Sequence, residues 1–174
     1  MEQQEKQQHT QGTGKRTQGP EKKYEQHLRR YLDKRGWGIK AFSGVIKSDG
    51  GIPIKTGKSG TPDLLYCIGG IFFAIEVKST TGRPSDAQIE QMARVELAGG
   101  IAIIARPQVD ADVRRLVEDD HIRYLTPCDR LAYAHGEYPA LYTWRARIPE
   151  ALLPAAGIPA DLLDDTDEIL YTAT

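Results

Sequence analysis

The strongest constraint on the fold of this chain is an apolar stretch interrupted at its centre by Gly69-Gly70. Residues 64–68 and 71–77 on either side are rich in β-branched and aromatic side chains, which favours two β-strands. A Gly-Gly pair suits the two-residue turns that join antiparallel strands with the correct twist. The sequence therefore predicts a β-hairpin in which the numbers of facing residues sum to 139, so that Ile68 faces Ile71.

This register places Asp63 opposite Glu76, with Cβ atoms about 5 Å apart. Lys78 follows Glu76 by two residues and therefore lies on the same face of the strand. Phe72 and Ala74 share that face, so it is at least half covered, and charged groups on it need partners. Two opposed carboxylates repel each other, whereas a hard divalent cation binds one or two carboxylates together with waters and phosphate oxygens. The spacing thus predicts a site for Mg²⁺ or Mn²⁺.

Each residue of this site has a predicted role. Asp63 and Glu76 supply carboxylate ligands, and the backbone carbonyl of Val77 is a candidate further ligand. The metal would acidify a bound water and stabilise charge on a phosphate under in-line attack. Lys78 is better suited to orienting the water than to acting as a free base, because the carboxylates favour its ammonium form. The alternative is an ordinary edge strand whose exposed face carries Glu76 and Lys78, with Asp63 ending a turn after Pro62.

The length and the cysteine content of the chain limit the classes of protein to which it could belong. A chain of 174 residues can bury a core without disulfide or metal staples. Its two cysteines, Cys67 and Cys128, show no paired metal-ligand spacing, which favours a reduced, cytoplasmic protein and argues against zinc. The longest apolar run, 64–75, is too short to cross a bilayer, and the first residues lack a signal-peptide pattern, so we expect no membrane association.

Charge is unevenly distributed although the net charge is −1. Residues 1–60 carry 13 Lys and Arg against 6 Asp and Glu, whereas residues 107–174 carry 6 against 13. A basic first third beside a carboxylate site fits a polyanionic substrate. Ordinary surface charge explains the count equally well, so the asymmetry is only supporting information.

The remaining patterns predict an α/β domain, with a mixed sheet of about four to five strands flanked by helices. Helices are predicted over 21–35, 85–97 and 109–118, and further strands over 37–42, 101–105 and 122–125. Residues 43–60 form a long Gly/Lys/Ser-rich loop in this interpretation. The predicted organisation is a disordered polar tail (1–20), a core (21–126) and a C-terminal extension with an acidic end (127–174).

Two further groups have open alternatives. Glu21 and Glu25 share one face of the first helix, where either could reach the metal through a water, but pairing with Arg29 or Lys22 explains their spacing better. Gln88 could contact a phosphate or the attacking water. Its position in the Ser-Asp-Ala-Gln capping box that opens the second helix is an equally complete explanation.

Together, Ser-Gly-Thr-Pro-Asp63, Glu76-Val-Lys78 and the later Gln88 resemble the PD-(D/E)XK nuclease superfamily, and most closely its VRR-nuc branch. The first helix and the Gly99-Gly100 pair before a strand add to the resemblance, which covers residues 21–120. Two features depart from the family pattern: the 43–60 segment is longer than its usual link, and the region after residue 126 has no counterpart.

The resemblance implies a restriction-endonuclease-like core with metal-dependent phosphodiesterase activity. Asp63 and Glu76 would be metal ligands, Glu25 would complete the acidic cluster, and Lys78 and Gln88 would act in catalysis. Stand-alone members resemble Holliday junction resolvases and act as dimers, so a DNA substrate and a homodimer are expected. Predicted contacts to DNA are Lys47, Lys55, Lys58, Ser59, Arg29 and Arg30.

We therefore expect a metal-dependent, structure-selective DNA endonuclease. Two alternatives remain from the sequence alone: a non-catalytic DNA-binding module that keeps the fold, and a restriction-type enzyme that cuts one linear sequence. Neither DNA shape nor base recognition has a signature in one chain, and a fold by itself does not fix a function.

Overall fold

The computed structural model describes residues 19–42, 44–47, 51 and 53–148. Nearly all of the tail predicted over 1–20 and the acidic end from residue 149 onward lie outside this range. Within it, no helix combines the length and the apolar character needed to cross a membrane.

The described chain contains six strands and four α-helices. The strands are β1 (Trp37–Lys40), β2 (Gly44–Lys47), β3 (Pro53–Thr56), β4 (Leu64–Ile68), β5 (Ile71–Val77) and β6 (Ile101–Ala105). The helices are α1 (Pro20–Leu32), α2 (Asp86–Leu97), α3 (Asp110–Glu118) and α4 (Pro127–Glu137). The main sheet has the order β1-β4-β5-β6, in which only the β5–β6 pair is parallel. The predicted mixed sheet flanked by helices is therefore confirmed at the level of architecture.

The central hairpin has the predicted register. Leu64 pairs with Ile75, and the ladder closes at Ile68 and Ile71. Gly69 and Gly70 both have positive φ, +58° and +82°. Glycine adopts two such conformations in succession without strain, which is why this pair fixes the turn and hence the register.

The two faces of the sheet are covered unequally. On one face, Tyr66 and Phe73 are buried, and the Tyr66 hydroxyl donates to Asp33, at the C-terminal end of α1, at 2.6 Å. Gly38 faces the same way, because a Cβ there would collide with the Tyr66 ring. On the other face, α2 packs mainly over β6. Helix α2 thus leaves the β1–β4 side of its face less covered.

Three sequence predictions about secondary structure are wrong. Residues 122–125 do not form a strand, because Asp119 caps a 3₁₀ turn over Asp120–Arg123 by accepting from the His121 N–H at 2.9 Å. The segment 43–60 is not a plain loop, since β2 and β3 pair within it. The first helix ends at Leu32, where a turn over residues 33–35 replaces the last predicted turn of helix.

Residues after Thr126 belong to the same hydrophobic core as the sheet. Helix α4 buries Ala134, and Leu141 and Trp144 follow it into the core. The Trp144 indole N–H donates to the carbonyl oxygen of Ala102 in β6 at 3.2 Å. The part of the predicted extension that the structure describes therefore packs directly on the sheet.

Candidate active site

Backbone geometry fixes Asp63 at the end of the hairpin. The carbonyl oxygen of Asp63 accepts from the Ala41 N–H at 2.8 Å, and its Oδ2 accepts from the Val77 N–H at 3.0 Å. Just before it, Gly60 has φ +78°, and a Cβ at that position would collide with the carbonyl of Ala87 in α2. The loop therefore approaches α2 closely only because residue 60 is glycine.

Glu76 is the most deeply buried charged side chain of the site, with 1% of its surface exposed. Its Oε1 lies 2.6 Å from the Lys78 Nζ and also accepts from the Gln88 side-chain amide. Its Oε2 is buried and has no hydrogen-bond partner among the described residues. An unpaired buried carboxylate oxygen is costly, so it marks a place where a cation or a proton would be stabilising.

The protonation energetics agree with this geometry. Burial and the neighbouring Asp63 carboxylate together raise the pKa of Glu76 to about 7, although Lys78 opposes the shift. Burial also raises the pKa of Asp63, against the Val77 N–H and the Lys78 ammonium, which lower it. Two adjacent carboxylates that resist ionisation are stabilised in their charged form by a nearby cation.

Gln88 forms the predicted capping box and also contacts Glu76. Its side-chain oxygen accepts from the Ser85 N–H at 2.8 Å, and its own N–H donates to the Ser85 hydroxyl at 3.3 Å, which completes the capping box. Its amide NH₂ is then free to donate to Glu76. The cap thus orients the same side chain that contacts the carboxylate, while a role toward a phosphate or water stays a prediction.

Helix α1 brings Glu21 and Glu25 to the site, and the charge of each raises the pKa of Asp63. Glu25 is buried and accepts from the Lys40 Nζ at 2.7 and 2.6 Å, one distance for each carboxylate oxygen. The suggested pairing with Arg29 or Lys22 is therefore wrong. The Oε2 of Glu21 accepts from the Ser79 N–H at 2.8 Å.

Lys40 is a residue of the site that the sequence interpretation missed. It ends β1 opposite Leu64, the first residue of β4, which directly follows Asp63. Its side chain reaches Glu25 of α1. Only the pairing of β1 with β4 places Lys40 near the site. No local pattern in the sequence specifies that pairing.

The segment between Lys78 and α2 is held by side chains distant in sequence. Arg106 donates to the Gly82 carbonyl at 2.6 Å, Gln108 to the Thr80 carbonyl at 3.0 Å, and Arg147 to the Pro84 carbonyl at 2.7 Å. These contacts fix the connection between Lys78 and Gln88. They arise from tertiary packing, which no local sequence pattern indicates.

The residues present fit a divalent metal held by two carboxylates rather than by three. Within the described ranges, no group of three or more His, Cys, Asp or Glu side chains is arranged to hold a metal ion. Both oxygens of Glu25 are engaged by Lys40, so its predicted role as a ligand has no support from the contacts. Asp63 and the unpartnered Oε2 of Glu76 suit an ion such as Mg²⁺, which keeps several waters and binds substrate oxygens. The Val77 carbonyl stays a predicted ligand.

The predicted DNA-contacting residues differ in their surroundings. Lys58 and Ser59 are exposed in the loop that precedes Asp63, and Arg30 is exposed on α1. Arg29 is half-buried beside Tyr66, with a buried Nε. The side chains of Lys47 and Lys55 lie outside the described residues.

No protein-family model matches the chain, and no curated protein or solved structure matches it. The likeness to PD-(D/E)XK nucleases therefore rests on the motif residues and their spacing.

Proposed function

We propose that this protein is a metal-dependent DNA endonuclease whose metal is held by Asp63 and Glu76. The observation that carries the proposal is the Glu76 carboxylate. It is buried beside a second carboxylate, one of its oxygens contacts Lys78 and Gln88, and the other has no hydrogen-bond partner among the described residues. A structural ion pair would not need the second carboxylate or leave an oxygen unpaired.

The position of each site residue indicates a separate role. A bound Mg²⁺ or Mn²⁺ would supply an acidified water and charge stabilisation at the attacked phosphate. Lys78, largely buried at the same oxygen as Gln88, holds Glu76 in place and presents a positive charge at the site. Gln88 orients the Glu76 carboxylate from the fixed start of α2.

A DNA substrate is supported by charge and by the location of the site. The carboxylates lie at the end of the sheet, next to a loop that exposes Lys58 and Ser59. Contacts of this kind to phosphates position a nucleic acid without reading its sequence. Branched DNA is the proposed preference, and a symmetric dimer would suit the two-fold relation of strands in a four-way junction.

The test is a cleavage panel with purified protein. Four-way junction, flap, single-stranded and linear duplex DNA are incubated with Mg²⁺, Mn²⁺ or chelator, using wild type, Asp63→Asn and Asp120→Asn. Asp120 is an exposed carboxylate paired with Arg123 at the surface, which makes it a matched control. We expect metal-dependent cuts in branched DNA by wild type and Asp120→Asn, and at least about a thousandfold less cutting by Asp63→Asn. Equal cutting by all three would refute the proposal.

One observation favours a second candidate, a non-catalytic DNA-binding module. Glu25 pairs with Lys40 and Glu76 pairs with Lys78, so much of the acidic charge is balanced without a metal. This candidate predicts binding without cleavage in every metal. Cuts at one linear sequence regardless of branching would instead indicate a restriction-type enzyme.

A further inference from the structure

One face of the main sheet carries the candidate active site and an exposed aromatic row on the same strands. The strand register aligns Trp37, Cys67 and Phe72 across β1, β4 and β5. The next row on this face, two residues along each strand toward the site, contains Ile39, Leu65 and Ala74. After two more residues, the row contains Asp63 and Glu76. At about 3.3 Å per residue, the aromatic row lies roughly 13 Å from the carboxylates.

The aromatic row is open to solvent. Trp37 is 74% exposed and Phe72 is 44% exposed, and Cys67 between them is also exposed. Phe72 borders a groove of about 400 Å³ between the sheet and α2. Gly100, which follows α2 in sequence, packs closely on this ring, because a Cβ there would lie 3.1 Å from Phe72 and 2.8 Å from Val95.

The two sides of the groove carry a few polar residues and one cationic residue. Thr61 and Pro62, from the loop that leads to Asp63, form one side, and Gln91 and Arg94 of α2 form the other. Arg94 is the one charged residue that lines this groove among the described residues, and it forms a surface pair with Glu90. Lys58 is exposed on the same loop as Thr61. Aromatic rings flanked by cationic groups are typical of surfaces that bind single-stranded nucleic acid.

We propose that Trp37 and Phe72 form a stacking platform for unpaired DNA bases, which leads a single strand toward the carboxylate pair. The inference rests on the proposed nuclease function and narrows its substrate to DNA with unpaired nucleotides next to the scissile phosphate. Base–ring stacking is tolerant of sequence, since every base has a π-face. The platform therefore selects structure, namely an unpaired strand, without selecting sequence.

Tryptophan fluorescence tests the platform in the unmodified protein. The chain has two tryptophans, and Trp144 is 1% exposed, so quenching by a bound base reports on Trp37. Oligothymidylate is titrated in the presence of chelator, which prevents cleavage. We expect saturable quenching in wild type and none in Trp37→Phe, whose remaining signal comes from Trp144. Absence of quenching in wild type would overturn the proposal.

Substitutions separate stacking from general apolar contact. Trp37→Leu and Phe72→Leu keep an apolar side chain but remove the ring, and each should weaken oligothymidylate binding about 5- to 150-fold. Leu97→Ala is the matched control, because Leu97 is 45% exposed, close to the value for Phe72, but does not line the groove. It should change binding less than about twofold. Unchanged binding in both leucine variants would contradict a stacking role.

Cysteine alkylation followed by mass spectrometry distinguishes DNA from a second copy of the chain as the occupant. Cys67 lies between the two rings, and Cys128, at the start of α4, is also exposed and serves as an internal control. Oligothymidylate should slow alkylation of Cys67 alone. Protection of Cys67 that grows with protein concentration without DNA would show a protein interface and overturn the proposal. Because binding is measured without metal, a failure of the stacking proposal can be distinguished from a failure of the proposed nuclease activity.

Discussion

One face of the main sheet has buried charged side chains at one end and exposed aromatic side chains at the other. Charged side chains usually lie at the surface and aromatic ones inside, so both ends depart from the usual distribution. At one end, Asp63 and Glu76 are covered and held by hydrogen bonds. At the other end, on the same strands, Trp37 and Phe72 are exposed. Buried charge and exposed aromatic surface are the informative departures in a protein, because each costs folding free energy. Their occurrence on one face supports the proposal that this face binds a ligand.

The largest effect is expected at the buried end, from Lys78→Ala. Lys78 contacts the Glu76 carboxylate at 2.6 Å and is the nearest cation to it. Its removal should lower the single-turnover cleavage rate in Mn²⁺ by about a thousandfold, within the range typical of a positioned catalytic group. Full metal-dependent cleavage by this variant would show that the lysine has only a structural role.

The next effect concerns stability and pH at Glu76. Because burial raises its pKa from 4.5 to about 7, the folded state resists ionisation, and stability from this group is lost as pH rises between these values. In chelator, wild type should lose up to about 3 kcal/mol of unfolding free energy from this group by pH 8. Glu76→Gln should lack this loss, as measured by urea denaturation.

The control for this experiment is Asp120→Asn, since Asp120 is exposed and paired at the surface. Its profile should follow that of wild type. If the unfolding free energies of Glu76→Gln and wild type depended on pH in the same way from pH 4 to 8, the raised pKa of Glu76 would be contradicted.

A smaller effect separates the two contacts of Gln88. Ser85→Ala and Gln88→Ala both break the capping box, and each should cost about 1 kcal/mol in thermal unfolding. Only Gln88→Ala removes the contact to Glu76, and it should also slow cleavage about 10- to 100-fold. Equal cleavage rates in the two variants would mean that Gln88 serves the helix alone.

The smallest effect on stability is expected at the open end. Trp37 is largely exposed, so Trp37→Leu should change the unfolding free energy by less than about 0.5 kcal/mol. A loss of 2 kcal/mol or more in chemical denaturation would show that the ring is packed in solution, and the contrast between the two ends would not hold.

Local sequence rules predicted the hairpin well and the rest of the site less well. The Gly69-Gly70 turn fixed which residues face each other, and that register placed Lys78 beside Glu76. The interaction of Glu25 with Lys40 depends on how β1 and α1 meet the hairpin, which no short pattern encodes.

The wrong strand at 122–125 has a similar cause. Ile122 is buried in the structure, and an apolar residue in a short run fits a strand or a 3₁₀ turn equally well. The cap by Asp119, which also accepts from Tyr133 and Tyr138 at 2.9 Å, decides between them. Those partners lie in a region that the sequence resemblance did not cover.

The most direct test of the account is calorimetric titration of Mn²⁺ into metal-free protein near pH 8. Wild type and Asp120→Asn should bind the ion with equal affinity, while Asp63→Asn and Glu76→Gln should bind it at least about tenfold more weakly. Indistinguishable affinities in all four proteins, or no binding to wild type, would contradict a metal site at this carboxylate pair.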